Sequence, residues 1–197
     1  MKKIILLATA ALLTSQPAFA THYYDKKPKI SYLKKICIRY ESSDVRVFWQ
    51  DGAELAMQKL NAFYQAVPYV NFYSGYPINC SHTIILKSKH YPGGTYFKLK
   101  ADGVNRLGRP GHSILIDSGT QGNYHNRDLR AGVLMHEIGH TLGLLHTGSG
   151  RGKVVPNTST DRNELSSLFV GADLTNIPRE PKLTTYDMRA LQFMVIP

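Results

Sequence analysis

The chain has 197 residues, of which 43% are hydrophobic and 19% charged. Those proportions exclude a disordered tail, a collagen-like repeat and a coiled coil, and the length sets one domain, with room for two lobes, as the expectation. A chain of this size buries roughly 70% of its unfolded surface, so it needs neither a metal nor a disulfide merely to fold. Net charge is +10, falling to +8 without Lys2 and Lys3. Much of the excess lies at Lys26, Lys27, Lys29, Lys34 and Lys35. Such a run can hold an anionic surface or polymer. A solvated face is the plainer reading, and no nucleic-acid motif accompanies it.

Residues 1–20 have the form of a secretory signal peptide. Lys2 and Lys3 make a basic start, Ile4 to Leu13 an apolar run, and Ala18-Phe19-Ala20 a cleavage site. The run is short of the 20 or so residues that span a bilayer. The mature chain is therefore expected to begin at Thr21 and to be secreted or periplasmic, with no membrane span. Export also bears on the two cysteines, Cys37 and Cys80. In an oxidising compartment a disulfide is the default, with two buried thiols as the alternative.

Residues 21–35 read as an extended basic leader. Ile36 to Tyr40 alternates apolar and polar residues, as a strand does. Asp51 with Glu54 resembles an N-cap box, and Ala56, Leu60, Phe63, Tyr64 and Val67 then recur at helical spacing up to Pro68. Thr83–Leu86 reads as a second strand, Thr95–Leu99 as a short one, and Ser113–Ile116 as another, closed by Asp117. A helix is expected from about Asp128 to Leu142. Residues 147–163 are rich in Gly, Thr, Ser and Asn, the composition of a mobile loop. Thr184 with Asp187 caps a last helix that buries Met188, Leu191, Met194 and Val195.

The chemistry sits at His136-Glu137-Ile138-Gly139-His140-Thr141-Leu142-Gly143-Leu144-Leu145-His146, of the form H-E-x-x-H-x-x-G-x-x-H. Residues four apart share one helix face, so His136 and His140 can aim two imidazoles at one ion. A catalytic zinc site needs three protein ligands and one open position. His146 would lie about 9 Å further along the axis than His140 if the helix continued. The chain must therefore turn back, and Gly143 permits that because glycine adopts positive φ without a side-chain penalty. Glu137 is the general base of this motif rather than a ligand. Zinc lowers the pKa of a bound water towards about 7, which supplies a nucleophile at neutral pH. A second, structural metal could use His112, Asp117 or His125, although scattered surface histidines explain them as well.

At these residues the chain resembles the metzincin metalloproteases, and the matrixin-like branch in particular. The first helix with Val70-Asn71-Phe72, the strand Ser113-Ile114-Leu115-Ile116-Asp117, Thr147 after the last histidine, and Leu183 to Gln192 carry the likeness beyond the motif. The resemblance implies an α+β fold of zincin type. Its upper lobe, residues 36–143, would hold a twisted, mostly parallel sheet and the active-site helix. A small lower lobe, 144–197, would follow, with the substrate cleft between them. It further implies one Zn2+ held by His136, His140 and His146, a protein or peptide substrate, and a monomer. Calcium is not indicated. Two departures stand out. Metzincins carry a methionine turn under the zinc; by chain order it falls near Ser166–Phe169, so Leu168 takes its place, with Met188 as the alternative. Leucine fills a similar volume, a change that usually costs under about 1.5 kcal/mol. No latency cysteine precedes the first strand, so the enzyme is expected to be active once exported and zinc-loaded. The rival reading is a zinc-stabilised binding or adhesion module that no longer cleaves.

Overall fold

The computed structural model describes residues 22–66, 70–74, 78–90, 99–119, 121–146, 152–156 and 184–196. In chain order the elements are β1 (His22–Tyr23), β2 (Ile36–Tyr40), α1 (Ser43–Phe63), β3 (Phe72–Ser74), β4 (His82–Lys89), β5 (Leu99–Ala101), β6 (Ser113–Asp117), α2 (Arg127–Thr141), β7 (Lys153–Val154) and α3 (Thr185–Val195). Five strands form one sheet in the order β3-β2-β4-β6-β5, and β1 pairs with β7 in a separate ribbon.

The sheet is parallel from β3 to β6, and only β5 runs antiparallel, with Ala101 opposite Ile114. This mixed α/β architecture, with a mostly parallel sheet, is the one expected. Alternation explains the sheet's faces. Along β4, His82, Ile84 and Leu86 are buried while the residues between them are half-buried, and Ile114 and Ile116 repeat the pattern on β6. β2 lies between β3 and β4, and four of its five residues are buried. Near-continuous burial is the mark of a parallel strand with both faces covered.

α1 packs on β2, β3 and β4, α2 packs on β5 and β6, and the two helices lie against each other. Val45, Trp49, Gly52, Ala53, Ala56, Met57 and Leu60 face the core at helical spacing. At the crossing with α2 a Cβ on Gly52 would meet the Arg130 Cβ, so a larger residue there would push the helices apart. Arg130 closes the same contact, donating from Nε and Nη2 to Asp51 at 3.1 and 2.6 Å and from Nη1 to the Tyr124 carbonyl at 2.7 Å.

The start of α1 corrects the sequence expectation. The helix begins at Ser43 rather than near Asp51, because the Ser42 hydroxyl accepts from the Val45 N–H and caps it. Asp51 lies mid-helix, and its carboxylate is held by Arg130. The leader is not simply extended either: it forms β1, then a tight turn at Ile30–Tyr32, and docks on the body. Several of its lysines are structurally engaged. Lys26 Nζ donates to the Arg106 carbonyl, Lys35 Nζ to the Ile78 carbonyl, and Lys27 Nζ to the Ile196 carbonyl while lying 4.0 Å from the Phe193 ring centre.

Cys37 and Cys80 form the expected disulfide, which ties β2 to the segment before β4. α3 begins with the expected box: the Thr184 hydroxyl accepts from the Asp187 N–H, and Asp187 Oδ2 accepts from the Thr184 N–H. Leu191, Met194 and Val195 are buried and Met188 partly so, and Tyr64 donates to the Leu191 carbonyl, tying α3 to the end of α1. No described helix is long and apolar enough to cross a membrane. The signal-peptide segment, most of Thr95–Leu99, most of 147–163 and the Ser166–Phe169 stretch lie outside the described residues; within 147–163, Lys153–Val154 forms a strand.

Candidate metal centre

α2 is buried all round from Ala131 to Gly139. Its composition is not that of a uniformly apolar helix, for His136 and Glu137 are among the buried residues. Buried polar side chains call for partners or a function. Asn126 starts the helix, its side-chain oxygen accepting from the Leu129 N–H at 2.7 Å.

The helix ends in a Schellman turn. The Gly143 N–H donates to the His140 carbonyl, the Leu144 N–H to the Gly139 carbonyl, and Gly143 holds φ of +102°. That turn folds the chain back and brings His146 over the helix. The three Nε2 atoms then converge: 2.9 Å between His136 and His140, and 3.1 Å from His146 to each of the others. His140 Nδ1 donates to the Leu144 carbonyl at 2.7 Å, which leaves its Nε2 with a bare lone pair.

The electrostatics favour neutral ligands. Burial pulls the His140 imidazole down to about 4, against a smaller opposing effect of its bond to Leu144, and burial lowers His146 as well. Metal ligands must be deprotonated, and these rings are held in that form. Nitrogens bound tetrahedrally to zinc stand about 3.3 Å apart, close to the spacing seen here. At this spacing one cation can share the three Nε2 lone pairs, so the donor set fits a metal ion, and its nitrogen character suits zinc.

Glu137 follows His136 on α2, and its side chain is buried. Desolvation raises it to about 8, opposed in part by a hydrogen bond from the Ala101 N–H on β5. Its Oε2 has no hydrogen-bond partner among the described residues. The structure brings His136, His140 and His146 together, and Glu137 follows His136 on the same buried stretch of α2. The structure does not assemble the second site. His112 Nδ1 lies 3.3 Å from Asp102, Asp117 Oδ1 accepts from the Gly119 N–H, and His125 is exposed. Among the described residues His136, His140 and His146 are the only group with metal-binding spacing. Beneath the turn lies Met194 of α3, whose Cε would be 3.0 Å from a Cβ on Gly143.

Sequence reasoning missed the backbone groups. The Leu144 carbonyl that orients His140, and the Ala101 N–H that reaches Glu137, carry no residue identity and leave no trace in a motif.

A mostly parallel sheet backed by a buried H-E-x-x-H helix, with a third histidine returned by a glycine turn, defines a zincin-like metallopeptidase. Residues 11–184 match the family described as dual-action HEIGH metallo-peptidase, and the chain belongs to that family. His136-Glu137-Ile138-Gly139-His140 spells out the five letters of that description. No curated protein gives a match to the chain.

Proposed function

We propose that the chain is an exported zinc-dependent endopeptidase in which His136, His140 and His146 hold the ion and Glu137 is the general base. The convergence of three imidazole nitrogens, together with a buried, partly unpartnered carboxyl group on the residue after His136, carries this reading. The bound zinc would supply Lewis acidity towards a substrate carbonyl and towards water. Glu137 takes a proton from the attacking water at its carboxylate and delivers it to the leaving amine nitrogen. The Ala101 hydrogen bond keeps the carboxylate aimed.

β5 is the edge of the sheet among the described strands, and the Ala101 N–H points outward to Glu137. An extended peptide pairing with that edge would pass directly across the site. The disulfide supports export, since such bonds persist in oxidising compartments. The likeness of the first helix, the β6 segment and α3 to matrixins supports a place beside that branch.

The test is Glu137→Ala, assayed with a peptide library. It keeps one zinc per chain and loses at least about 100-fold in cleavage rate, as expected when a general base is removed. Unchanged cleavage in that variant overturns the mechanism. Cleavage that is absent from the wild type as well, with zinc bound, would favour the binding-module reading.

A further inference from the structure

The turn that carries the third histidine is not held by α2 alone. Beyond the two Schellman bonds, its outer side is covered by the leader. Tyr24 donates its N–H to the Gly143 carbonyl at 2.9 Å. Tyr23 forms an antiparallel bridge with Leu144. On its other side Tyr23 pairs with Lys153, and His22 with Val154. The leader is therefore the middle segment of a small ribbon, with the ligand turn on one side and β7 on the other.

The same segment is pinned to α3. The Tyr23 ring packs edge-on against Phe193 at 4.9 Å, and Lys27 reaches both the Phe193 ring and the Ile196 carbonyl. A Cβ on Gly143 would lie 3.4 Å from the Lys26 carbonyl oxygen, so the leader crosses directly over the turn. Leu144 is where these contacts meet the metal centre. Its N–H caps α2, its carbonyl orients His140, and its backbone pairs with Tyr23.

We propose that Tyr23 and Tyr24 are positioning residues, a strap that holds the Gly143–Leu144 turn so that His146 meets the ion preformed. The proposal rests on the ligand assignment above. Without the strap, the turn keeps its two backbone bonds and the His140 side-chain bond to the helix end, and two paired segments become open edges. Regions held by few bonds open locally at low cost. Each opening carries His146 away while His136 and His140 stay fixed on α2. The leader is thus a part of the metal site contributed by backbone atoms far away in sequence.

The experiment measures zinc affinity of the full chain by competition with a chromophoric chelator. Two variants release the strap from opposite sides. Tyr24→Pro removes the N–H that Gly143 accepts. Gly152→Ala places a Cβ in collision with the Tyr23 carbonyl oxygen. Both are expected to weaken zinc binding about tenfold, the scale of losing a supporting contact around a metal ligand. The paired change Cys37→Ser with Cys80→Ser is the control: it lowers stability and leaves zinc affinity unchanged.

A double-mutant cycle separates positioning from general damage. His146→Ala weakens zinc binding more than either strap variant, and adding Tyr24→Pro to it has no further effect. Unchanged affinity in Tyr24→Pro and Gly152→Ala overturns the strap. So does a loss of the same size in the His146→Ala background, which would place the effect on the helix or the whole fold. If His146→Ala itself binds zinc as the wild type does, the ligand assignment fails first and the strap falls with it.

Discussion

Gly143→Ala is the change that most sharply probes how the third histidine is placed. Two costs add at this position. The backbone holds φ of +102°, in the region where an L side chain costs roughly 1–2 kcal/mol or more. The new Cβ would also stand 3.0 Å from Met194 Cε and 3.0 Å from Val104 Cγ2. The methionine methyl can swing aside, but the valine is stiff at χ1. Crowding of this kind costs about 1–3 kcal/mol. The total is about 3 kcal/mol, which for a domain of this size lowers Tm by roughly 6–12 °C. Circular dichroism melts of the zinc-free protein measure this term by itself. Zinc titration measures the second consequence: the Schellman turn cannot form unstrained, His146 swings out, and affinity falls. A variant that melts within about 2 °C of the wild type and binds zinc equally well would refute the argument that a left-handed glycine delivers the third ligand.

Cys37→Ser with Cys80→Ser should cost about 2–4 kcal/mol in urea unfolding, since the bond closes a separation of 43 residues. A loss under about 0.5 kcal/mol would mean that the reduced chain is already constrained there. Arg130→Met should destabilise by about 1–3 kcal/mol, because it leaves the Tyr124 carbonyl without its donor as well as removing the partly exposed pair with Asp51. Asp51→Asn should cost less, and the reverse order in thermal melts would contradict this. For the zinc-free protein, pH acts on two groups in opposite senses. His140 titrates near 6.5 when unfolded and about 4 when folded. The unfolded state therefore binds the extra proton between those values, and stability falls as pH drops through that window. Glu137 is raised from 4.5 to about 8, so the folded state keeps its proton longer and stability falls as pH climbs from 4.5 to 8. Glu137→Gln should flatten the alkaline side of the melting profile and leave the acid side; an unchanged alkaline slope would contradict the assignment.

The candidate metal centre was legible because its information is local. Two histidines one turn apart, a glutamate between them, and a glycine before the third histidine all fall within His136–His146. β2, β4 and β6 were legible for a similar reason: β2 alternates apolar and polar residues, and β4 and β6 carry short apolar runs at Ile84–Leu86 and Ile114–Ile116. The start of α1 was not. Val45, Val47, Phe48 and Trp49 are β-branched or aromatic, and their local preference for helix is weak. Burial of Val45 and Trp49 in the core, together with the Ser42 cap, decides the matter. Asp51 and Glu54 imitate a cap box, while the partner of Asp51 lies 79 residues away at Arg130. The docking of the leader was not legible for a related reason. Lys26, Lys29 and Lys34 are exposed, as a solvated run should be, yet Lys26 and Lys27 also donate to carbonyls of distant segments, and no pattern within residues 21–35 encodes those partners.

The most direct measurement is the metal content of the purified chain, by elemental analysis after loading and exhaustive dialysis. The account predicts one zinc per chain in the wild type and in Glu137→Ala, and markedly less in His136→Ala, His140→Ala and His146→Ala. A wild-type chain that retains no stoichiometric metal, or a His146→Ala chain that retains it fully, would contradict the claim that these three histidines form one zinc site.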